Sequence, residues 1–311
     1  MRLTSKKEKA TLTEPTLDDM EYLDATVIAP RLLQSSDHNL GAILVDSGRL
    51  KLEDVERILR FQKEQGLRFG DAALKLKLVN EQDIQHALSK QFSYSYLHPG
   101  EGGFSNDLIA AYTPFSPQVE ALRALRSQLM LRWFSEGKKI LAIVSPDFQE
   151  GRSYLTANLA VIFSQLGERT LLIDANLRNP RQHSIFNLPR GTGLTSVLSG
   201  RSAAQDVIVR IPSFTDLSVL AADPVPPNPL ELLGRPEFSR LLADLGHRYD
   251  VILIDTPAGA IYSDATTIAS RAGGALMVTR KDRTRLDAVK SLSAQLSSSG
   301  AHVIGSVLNK Y

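Results

Sequence analysis

Hydrophobic and polar positions follow two different patterns in the two halves of the chain. In the first half, residues 39–62 recur without gaps as residues 68–91, and each copy predicts a short helix, a turn and a second, amphipathic helix. In the second half, short apolar runs alternate with helical patterns; the runs cover residues 140–144, 171–173, 217–220, 251–254, 275–278 and 303–308. The alternation predicts a parallel sheet with helices on both faces.

These patterns divide the chain into four parts. Residues 1–37 are polar with scattered Pro and Ser, and we expect a largely disordered lead-in. The repeat predicts a small all-helical domain over residues 38–97, and a stretch rich in Gly and Pro predicts a linker over residues 98–110. Residues 111–311 are predicted to form an α/β domain with a doubly wound, mostly parallel sheet.

Composition and charge narrow the classes of function. With 311 residues and 43% hydrophobic content, the chain can build two domains and a sizeable core. A net charge of +2 with dispersed basic residues predicts no nucleic-acid partner. The absence of Cys rules out disulfides and thiolate sites and suits the cytosol. No apolar run approaches the ~20 residues of a membrane span, and the charged N-terminal stretch is unlike a signal peptide, so we expect membrane association only through a partner.

The stretch 145–153, SPDFQEGRS, lies between the apolar run 140–144 and a helical pattern. A strand, a Gly-containing turn and a helix start together point backbone N–H groups at one spot, where a polyphosphate binds. The reference pattern is G-x-x-x-x-G-K-[ST], and only Gly151 and Ser153 match it, because Pro146 and Arg152 replace the first Gly and the Lys. Taken alone, this stretch fits an ordinary surface turn better than a phosphate site.

Two carboxylates strengthen the case for a phosphate site. Asp174 and Asp255 each follow a predicted strand, and the carboxyl ends of parallel strands meet at one edge of the sheet. Mg²⁺ prefers carboxylate, hydroxyl and water oxygens, so two acids beside a phosphate loop predict a Mg²⁺-nucleotide site. Either Asp singly could simply begin a turn. That alternative explains the coincidence of three strand ends poorly.

From about Glu120 to Asn309 the chain resembles the bacterial tyrosine kinases of capsule and exopolysaccharide systems, in the free-standing form associated with a chain-length determinant. The resemblance rests on collinear motifs: EALRALRSQL, GRSYLTANLAVIFSQLGERTLLIDANLRNP, GLTSVLSGR, PPNPLELL, YDVILIDTPAG with the following SDA, and VIGSVLN. It implies a P-loop fold related to the cell-division and partition ATPases. A partition or flagellar-positioning ATPase is a third possibility, against which PPNPLELL and EALRALR argue.

The resemblance also implies roles for individual residues. ATP would be held by Glu150, Gly151, Arg152, Ser153 and Tyr154 at its phosphates and by Asn309 at its adenine. Mg²⁺ would be held by Ser153, Asp174 and Asp255. Catalysis is expected from Asp174, Arg152 and Asp255, with Asp255 as the Walker B carboxylate. Glu120, Arg123 and Arg126 match an E-x-x-R-x-x-R oligomerisation element, which implies a homo-oligomer.

Departures from the family pattern leave two functions open. Gln149 stands where the family has Gly, Arg152 replaces the Lys, and Asn176 replaces a second acid and carries no negative charge. A single Tyr311 replaces a C-terminal tyrosine cluster. We therefore expect either an ATP-dependent tyrosine kinase that acts with a membrane polysaccharide co-polymerase, or a nucleotide-binding regulator that transfers little or no phosphate. Both imply a cytoplasmic protein held at the inner membrane through its partner.

The helical repeat resembles the N-terminal domain of type II secretion and pilus ATPases, which in some members binds cyclic di-GMP through both copies. This chain departs from that pattern at Asn39, which replaces an Arg, and at Lys77, which replaces a Gly, whereas Arg68 is kept. The resemblance implies cyclic di-GMP as a candidate ligand. A docking or scaffold module with Leu and Val as its core is the alternative.

Overall fold

The computed structural model describes residues 40–91, 97, 100–222 and 225–310. The chain divides into two compact units, residues 1–93 and 94–311. The predicted lead-in and Tyr311 lie outside the described residues.

The first unit is helical, as the periodicity predicted, with α1 (Leu40–Asp46), α2 (Leu52–Gln65), α3 (Phe69–Lys75) and α4 (Glu81–Gln91). The first helix of each copy packs against the second helix of the other copy. Equivalent positions of the two copies are buried in the shared core: Leu44 with Ala73, Leu50 with Val79, and Ile58 with Ala87. The two copies therefore complete each other, and neither would bury its apolar face alone.

Local structure also repeats between the copies. Asp54 accepts a hydrogen bond from the backbone N–H of Lys51 at 3.1 Å, and Asp83, at the same position of the second copy, accepts one from Asn80 at 3.1 Å. These bonds satisfy N–H groups that the start of a helix leaves without a partner. The turn between the helices is left-handed in both copies, with φ 69° at Gly48 and 54° at Lys77.

The second unit contains a seven-stranded sheet in the order β3-β4-β2-β5-β1-β6-β7. The strands are β1 (Ile140–Val144), β2 (Thr170–Asp174), β3 (Val209–Arg210), β4 (Leu217–Leu220), β5 (Val251–Asp255), β6 (Gly274–Arg280) and β7 (His302–Asn309). Every neighbouring pair is parallel except β3 with β4. The mostly parallel sheet is confirmed, and all six apolar runs form strands. The pattern missed β3, whose two residues are too few to show a period.

Helices cover both faces of this sheet. They are α5 (Ile109–Tyr112), α6 (Pro117–Arg132), α7 (Arg152–Ser164), α8 (Gln182–Ile185), α9 (Leu194–Leu198), α10 (Ala204–Val207), α11 (Pro229–Gly234), α12 (Pro236–Arg248), α13 (Asp264–Ala272) and α14 (Leu286–Ser298). Alternate residues of β1 enter two separate hydrophobic clusters, with Ile143 in one and Val144 in the other. A strand buried on both faces requires such a continuous apolar run.

The structure differs from the predicted linker over residues 98–110. Its described residues belong to the second unit, where Leu108 and Ala110 are fully buried. The backbone N–H of Ala110 donates to Asn158 Oδ1 at 2.9 Å, which ties the segment to α7. Gly100 and Gly102 have positive φ, a conformation that Gly adopts readily, and both residues are exposed. The composition rich in Gly predicted a linker, whereas Leu108 and Ala110 at the end of this segment pack into the second unit.

Candidate functional site

The candidate site forms where β1, β5 and β2 end side by side. Strand β5 lies between β1 and β2, so the phosphate loop (residues 145–153) and both predicted acids reach the same edge of the sheet. Asp174 and Asp255 are register partners in the parallel pair β2 and β5, and both are fully buried. The tertiary structure therefore brings together the three strand ends that the sequence singled out.

The phosphate loop has the backbone shape that an anion site requires. Gln149 and Gly151 have φ of 57° and 94°, and α7 begins directly afterwards at Arg152. Successive N–H groups in such a turn point into one concavity, and the 13-residue helix α7 adds the positive end of its dipole. Gln149 holds this left-handed conformation although it carries a side chain.

Arg152 is turned into the protein. Its side chain lies almost entirely inside the fold, with 7% of the residue exposed. Nε donates to the carbonyl oxygen of Thr256 at 2.7 Å, and Nη1 donates to Asp147 O at 3.0 Å and to Ser145 Oγ. The planar guanidinium thus joins the phosphate loop to the end of β5, which the point charge of a Lys could not do in the same way.

Glu150 and Asn309 hold the phosphate loop in place. Glu150 is fully buried; its Oε2 accepts from the backbone N–H of Asp147 at 2.8 Å, and its Oε1 accepts from the Thr284 hydroxyl. Asn309 Nδ2 donates to Glu150 O at 3.2 Å. The Glu150 carboxylate is therefore engaged within the protein, and Asn309 lies at the end of β7 beside the loop.

Asp255 has one oxygen in use and one without a partner. Gln182 Nε2 donates to Asp255 Oδ2 at 2.8 Å, and the Ser153 hydroxyl also bonds this carboxylate. Oδ1 is buried and has no hydrogen-bond partner among the described residues. Burial raises the pKa of Asp255, while Arg152, Ser153 and Gln182 oppose the rise.

These residues fit a Mg²⁺ ion held mainly through water and phosphate. An orphaned carboxylate oxygen beside a Ser hydroxyl supplies the hard oxygen ligands that Mg²⁺ prefers. Within the described parts of the chain no three His, Cys, Asp or Glu side chains cluster as a metal cage. Mg²⁺ keeps several waters and binds through few carboxylates, so this sparse donor set suits it.

Asp174 shapes the loop that follows it. Its Oδ2 accepts from the backbone N–H groups of Arg181 at 3.0 Å and Gln182 at 2.9 Å, and its Oδ1 accepts from Asn176 N at 3.2 Å. Burial, and then the charge of Asp255, raise the pKa of Asp174 to about 8, against the effect of these three donors. Both predicted acids therefore lie at this edge of the sheet, and both oxygens of Asp174 accept hydrogen bonds from backbone N–H groups.

Asn176, at the position of the missing second acid, is engaged in its own turn. Its Nδ2 donates to Asn179 O at 2.8 Å, and its Oδ1 accepts from Asn179 N at 3.1 Å. Nearby, Arg178 pairs with the buried carboxylate of Asp264 at 3.1 Å and stacks on the Tyr262 ring at 4.0 Å. The loop after β2 is thus fixed by contacts rather than by charge at position 176.

A cavity of about 1240 Å³ opens beside the phosphate loop. Its walls include all six predicted nucleotide-binding residues and the amide that replaces the second acid: Glu150, Gly151, Arg152, Ser153, Tyr154, Asn309 and Asn176. Asp174 and Asp255 do not line it, whereas Ser153, which bonds Asp255, does. The cavity is somewhat larger than the roughly 300–1,000 Å³ of typical small-molecule sites, so its volume is sufficient for a nucleotide.

The predicted oligomerisation residues lie on α6, which also forms one cavity wall through Ala121 and Leu125. Arg123 pairs with Glu120 at 3.3 Å, and Arg126 Nη1 donates to the carbonyl oxygen of Ile162 on α7 at 3.2 Å. Both arginines therefore make bonds within their own chain.

Sequence reasoning missed Gln182, Arg280, Arg283 and Thr284. Arg280 ends β6 and Arg283 follows it, so the rule that ligands bind at strand ends could have pointed to them. Gln182 gave no such signal, because its importance comes from a contact with Asp255, 73 residues away.

No protein-family model matches the chain. Among curated proteins, it is 36% identical over 197 residues to "Putative tyrosine-protein kinase CapB" of Staphylococcus aureus, covering 63% of this chain and 86% of that protein. It is 32% identical over 203 residues to tyrosine-protein kinase YwqD of Bacillus subtilis, covering 65% and 85%. Against "Putative tyrosine-protein kinase EpsB" of Ralstonia solanacearum, the identity is 34% over 204 residues, and the chain spans only 27% of that longer protein.

Solved structures agree with this similarity. The kinase domain of Escherichia coli tyrosine kinase ETK superposes with a TM-score of 0.63 at 30% identity, over 65% of this chain and 79% of that one. The septum site-determining protein MinD of Pyrococcus horikoshii, in complex with Mg-ADP, superposes with a TM-score of 0.50 at 25% identity, over 56% and 70%. None of the helices in the described parts of the chain has both the length and the apolar character needed to cross a membrane.

Proposed function

The chain belongs to the family of bacterial tyrosine-protein kinases, and we propose that it binds Mg²⁺-ATP beside the phosphate loop and transfers the γ-phosphoryl group to a tyrosine hydroxyl. One observation carries the proposal: Asp174 and Asp255 lie in register at the strand ends, and Ser153 of the phosphate loop bonds Asp255. Phosphoryl transfer depends mainly on positioning and charge neutralisation, which this arrangement supplies.

Each part of the site has a distinct task in this proposal. Backbone N–H groups of the phosphate loop and the start of α7 would hold the phosphates. Ser153 and Asp255 would hold Mg²⁺, which when bound neutralises charge on the transferred group. Asp174 would keep the loop after β2 closed, since its oxygens accept three backbone N–H groups. Gln182 would fix the orientation of Asp255.

A second candidate is a regulator that binds nucleotide and responds to it without transferring phosphate. Two observations favour it. The Arg152 guanidinium is bonded inside the protein, and Asn176 is an uncharged amide engaged with Asn179. The Arg152 donors are directed at carbonyl oxygens of the protein, and Asn176 carries no charge.

A phosphotyrosine assay with Mg²⁺-ATP separates the two candidates when it is run beside ATP-binding calorimetry and an Asp255→Ala variant. Label in the unchanged chain and none in the variant supports the kinase and excludes the regulator. ATP binding with no label excludes the kinase. Absence of ATP binding rejects both.

The cellular role proposed here follows from the family. The protein would control polymerisation, export and chain length of an exopolysaccharide, together with a membrane co-polymerase that holds it at the cytoplasmic face of the inner membrane. Deleting the protein should change the polymer's size distribution on a gel, and restoring it should reverse the change. A distribution that is identical in both strains would contradict this role.

Self-association through Glu120, Arg123 and Arg126 belongs to the same proposal. Arg126→Glu should lower the molar mass in light scattering, with circular dichroism as a folding control, because Arg126 also bonds Ile162 O of its own chain.

For the first unit we propose cyclic di-GMP binding or protein docking. Calorimetry with cyclic di-GMP distinguishes the two. No heat of binding at high micromolar ligand would reject cyclic di-GMP and support the docking role.

A further inference from the structure

Residues 280–284, here called the basic turn, begin at the last residue of β6 and contact the phosphate loop. The turn is closed by two bonds: Thr284 N donates to Arg280 O at 3.0 Å, and Arg280 N donates to the Thr284 hydroxyl oxygen at 2.7 Å. The same hydroxyl donates to the buried carboxylate of Glu150. The position of the basic turn over the phosphate loop is therefore fixed by a buried group.

Two arginines of the basic turn reach Gln149 at the tip of the phosphate loop. Arg280 Nη1 donates to Gln149 O at 3.2 Å, and Arg283 Nη1 donates to Gln149 Oε1 at 3.0 Å. Both arginines line the cavity together with Gly151 and Ser153. Two guanidinium groups thus stand on the wall of the cavity at the place where the phosphate loop turns.

The single cation of the phosphate loop directs its donors at oxygens of the protein. Arg152, at the position of the Lys in the reference pattern, is 7% exposed and donates to Thr256 O and Asp147 O. A nucleoside triphosphate carries several negative charges, which must be neutralised by cations that reach it. A bound Mg²⁺ ion would neutralise only part of this negative charge.

We propose that Arg280 and Arg283 bind the terminal phosphates of a nucleoside triphosphate in this cavity, in place of the Lys that the reference pattern has at position 152. The inference rests on the proposed nucleotide-binding function and identifies the side chains that would neutralise the phosphates. Arg283 would exchange the neutral Gln149 Oε1 for a phosphate oxygen, which is a stronger acceptor for a charged donor. Gln149 then acts as the group that holds Arg283 in place until the ligand arrives.

Arg285 provides a matched control in the same segment. It differs from Arg283 by two positions, its side chain is 81% exposed, and it pairs with Asp287 at 3.1 Å. It does not line the cavity. Replacing either arginine with Gln removes one positive charge, so the net charge of the chain changes equally in both variants.

The test compares Arg283→Gln, Arg283→Lys and Arg285→Gln by calorimetry with ATP, tripolyphosphate and AMP in the presence of MgCl₂. Loss of one charge-assisted contact should weaken ATP and tripolyphosphate about tenfold in Arg283→Gln, and AMP much less. Arg283→Lys should recover part of the loss, and Arg285→Gln should bind as the unchanged chain does. Thermal unfolding of each variant shows that the fold is retained.

Other outcomes overturn the assignment. If Arg283→Gln weakens AMP as much as ATP, Arg283 only shapes the phosphate loop. If it weakens neither, or no more than Arg285→Gln, Arg283 does not touch phosphate, while the proposed nucleotide binding stands. If the unchanged chain binds no ATP, the proposed function fails together with this inference.

Discussion

Asp174 and Asp255 are paired in register on neighbouring parallel strands, and neither carboxylate is exposed to solvent. Gln182 contacts both: its backbone N–H donates to Asp174 and its side-chain amide donates to Asp255. Both carboxylates are shielded from water, which raises the pKa of each, and the negative charge of Asp255 raises the pKa of Asp174 further. A single Gln therefore holds the two halves of the site together.

The first prediction concerns pH. Since the pKa of Asp174 is raised from 3.8 to about 8, the folded chain keeps a proton between these values that the unfolded chain releases. The contribution of this group to stability therefore falls as pH rises through that window. In urea unfolding at about pH 6 and about pH 8 without Mg²⁺, Asp255→Asn should lose less stability than the unchanged chain. Equal losses would show that Asp255 does not act on Asp174.

The second prediction concerns Gln182. Gln182→Leu keeps the volume but leaves the buried Asp255 Oδ2 without the Gln donor, which should cost about 1–3 kcal/mol. It should also weaken Mg²⁺-dependent ATP binding, because Asp255 loses its orientation. Denaturant unfolding and calorimetry measure the two effects, with Gln128→Leu on the exposed side of α6 as the control. Equal stability of the two variants would refute the role given to Gln182.

The third prediction uses two glycines of one loop. A Cβ added at Gly193 would lie 2.1 Å from the backbone oxygen of Ala221, whereas a Cβ at Gly191 meets nothing within 4 Å. Gly193→Ala should therefore destabilise the second unit by about 3 kcal/mol, since a backbone oxygen cannot move aside cheaply. Gly191→Ala should be close to neutral. Thermal unfolding of both variants, followed by Trp133 fluorescence, would contradict this if they behaved alike.

The fourth prediction concerns the first unit. Lys77 has φ 54° at the position where the other copy has Gly48, and a left-handed conformation is costly for a residue with a Cβ. Lys77→Gly should stabilise the unit by about 0.5–1 kcal/mol after the entropy cost of Gly is subtracted. Gly48→Lys should do the reverse. Hydrogen exchange at the Ile58 and Ala87 amides reports both changes, and slower exchange in Gly48→Lys would reverse the argument.

The sequence by itself determined the parallel sheet, the helical repeat and the edge of the sheet where the site lies. It could do so because these features are local: a strand buried on both faces is a continuous apolar run, and a carboxylate after such a run lies at the strand's end. The sequence did not predict the outer strand β3 or the burial of Leu108 and Ala110 in the second unit. The two residues of β3 are too few to show an alternating pattern. A composition rich in Gly does not distinguish a linker from a segment that packs against a domain.

Only the tertiary structure decided what the site residues do. Arg152 is held by Thr256, which is 104 residues away; Glu150 is held by Thr284, 134 residues away; and Asp255 is held by Gln182, 73 residues away. Whether a side chain faces a ligand or its own protein depends on such contacts, which no local pattern encodes. The sequence thus located the phosphate loop and the two acids, and the fold decided that Arg152 bonds Thr256 and Asp147 while Arg280 and Arg283 reach Gln149 at the tip of the loop.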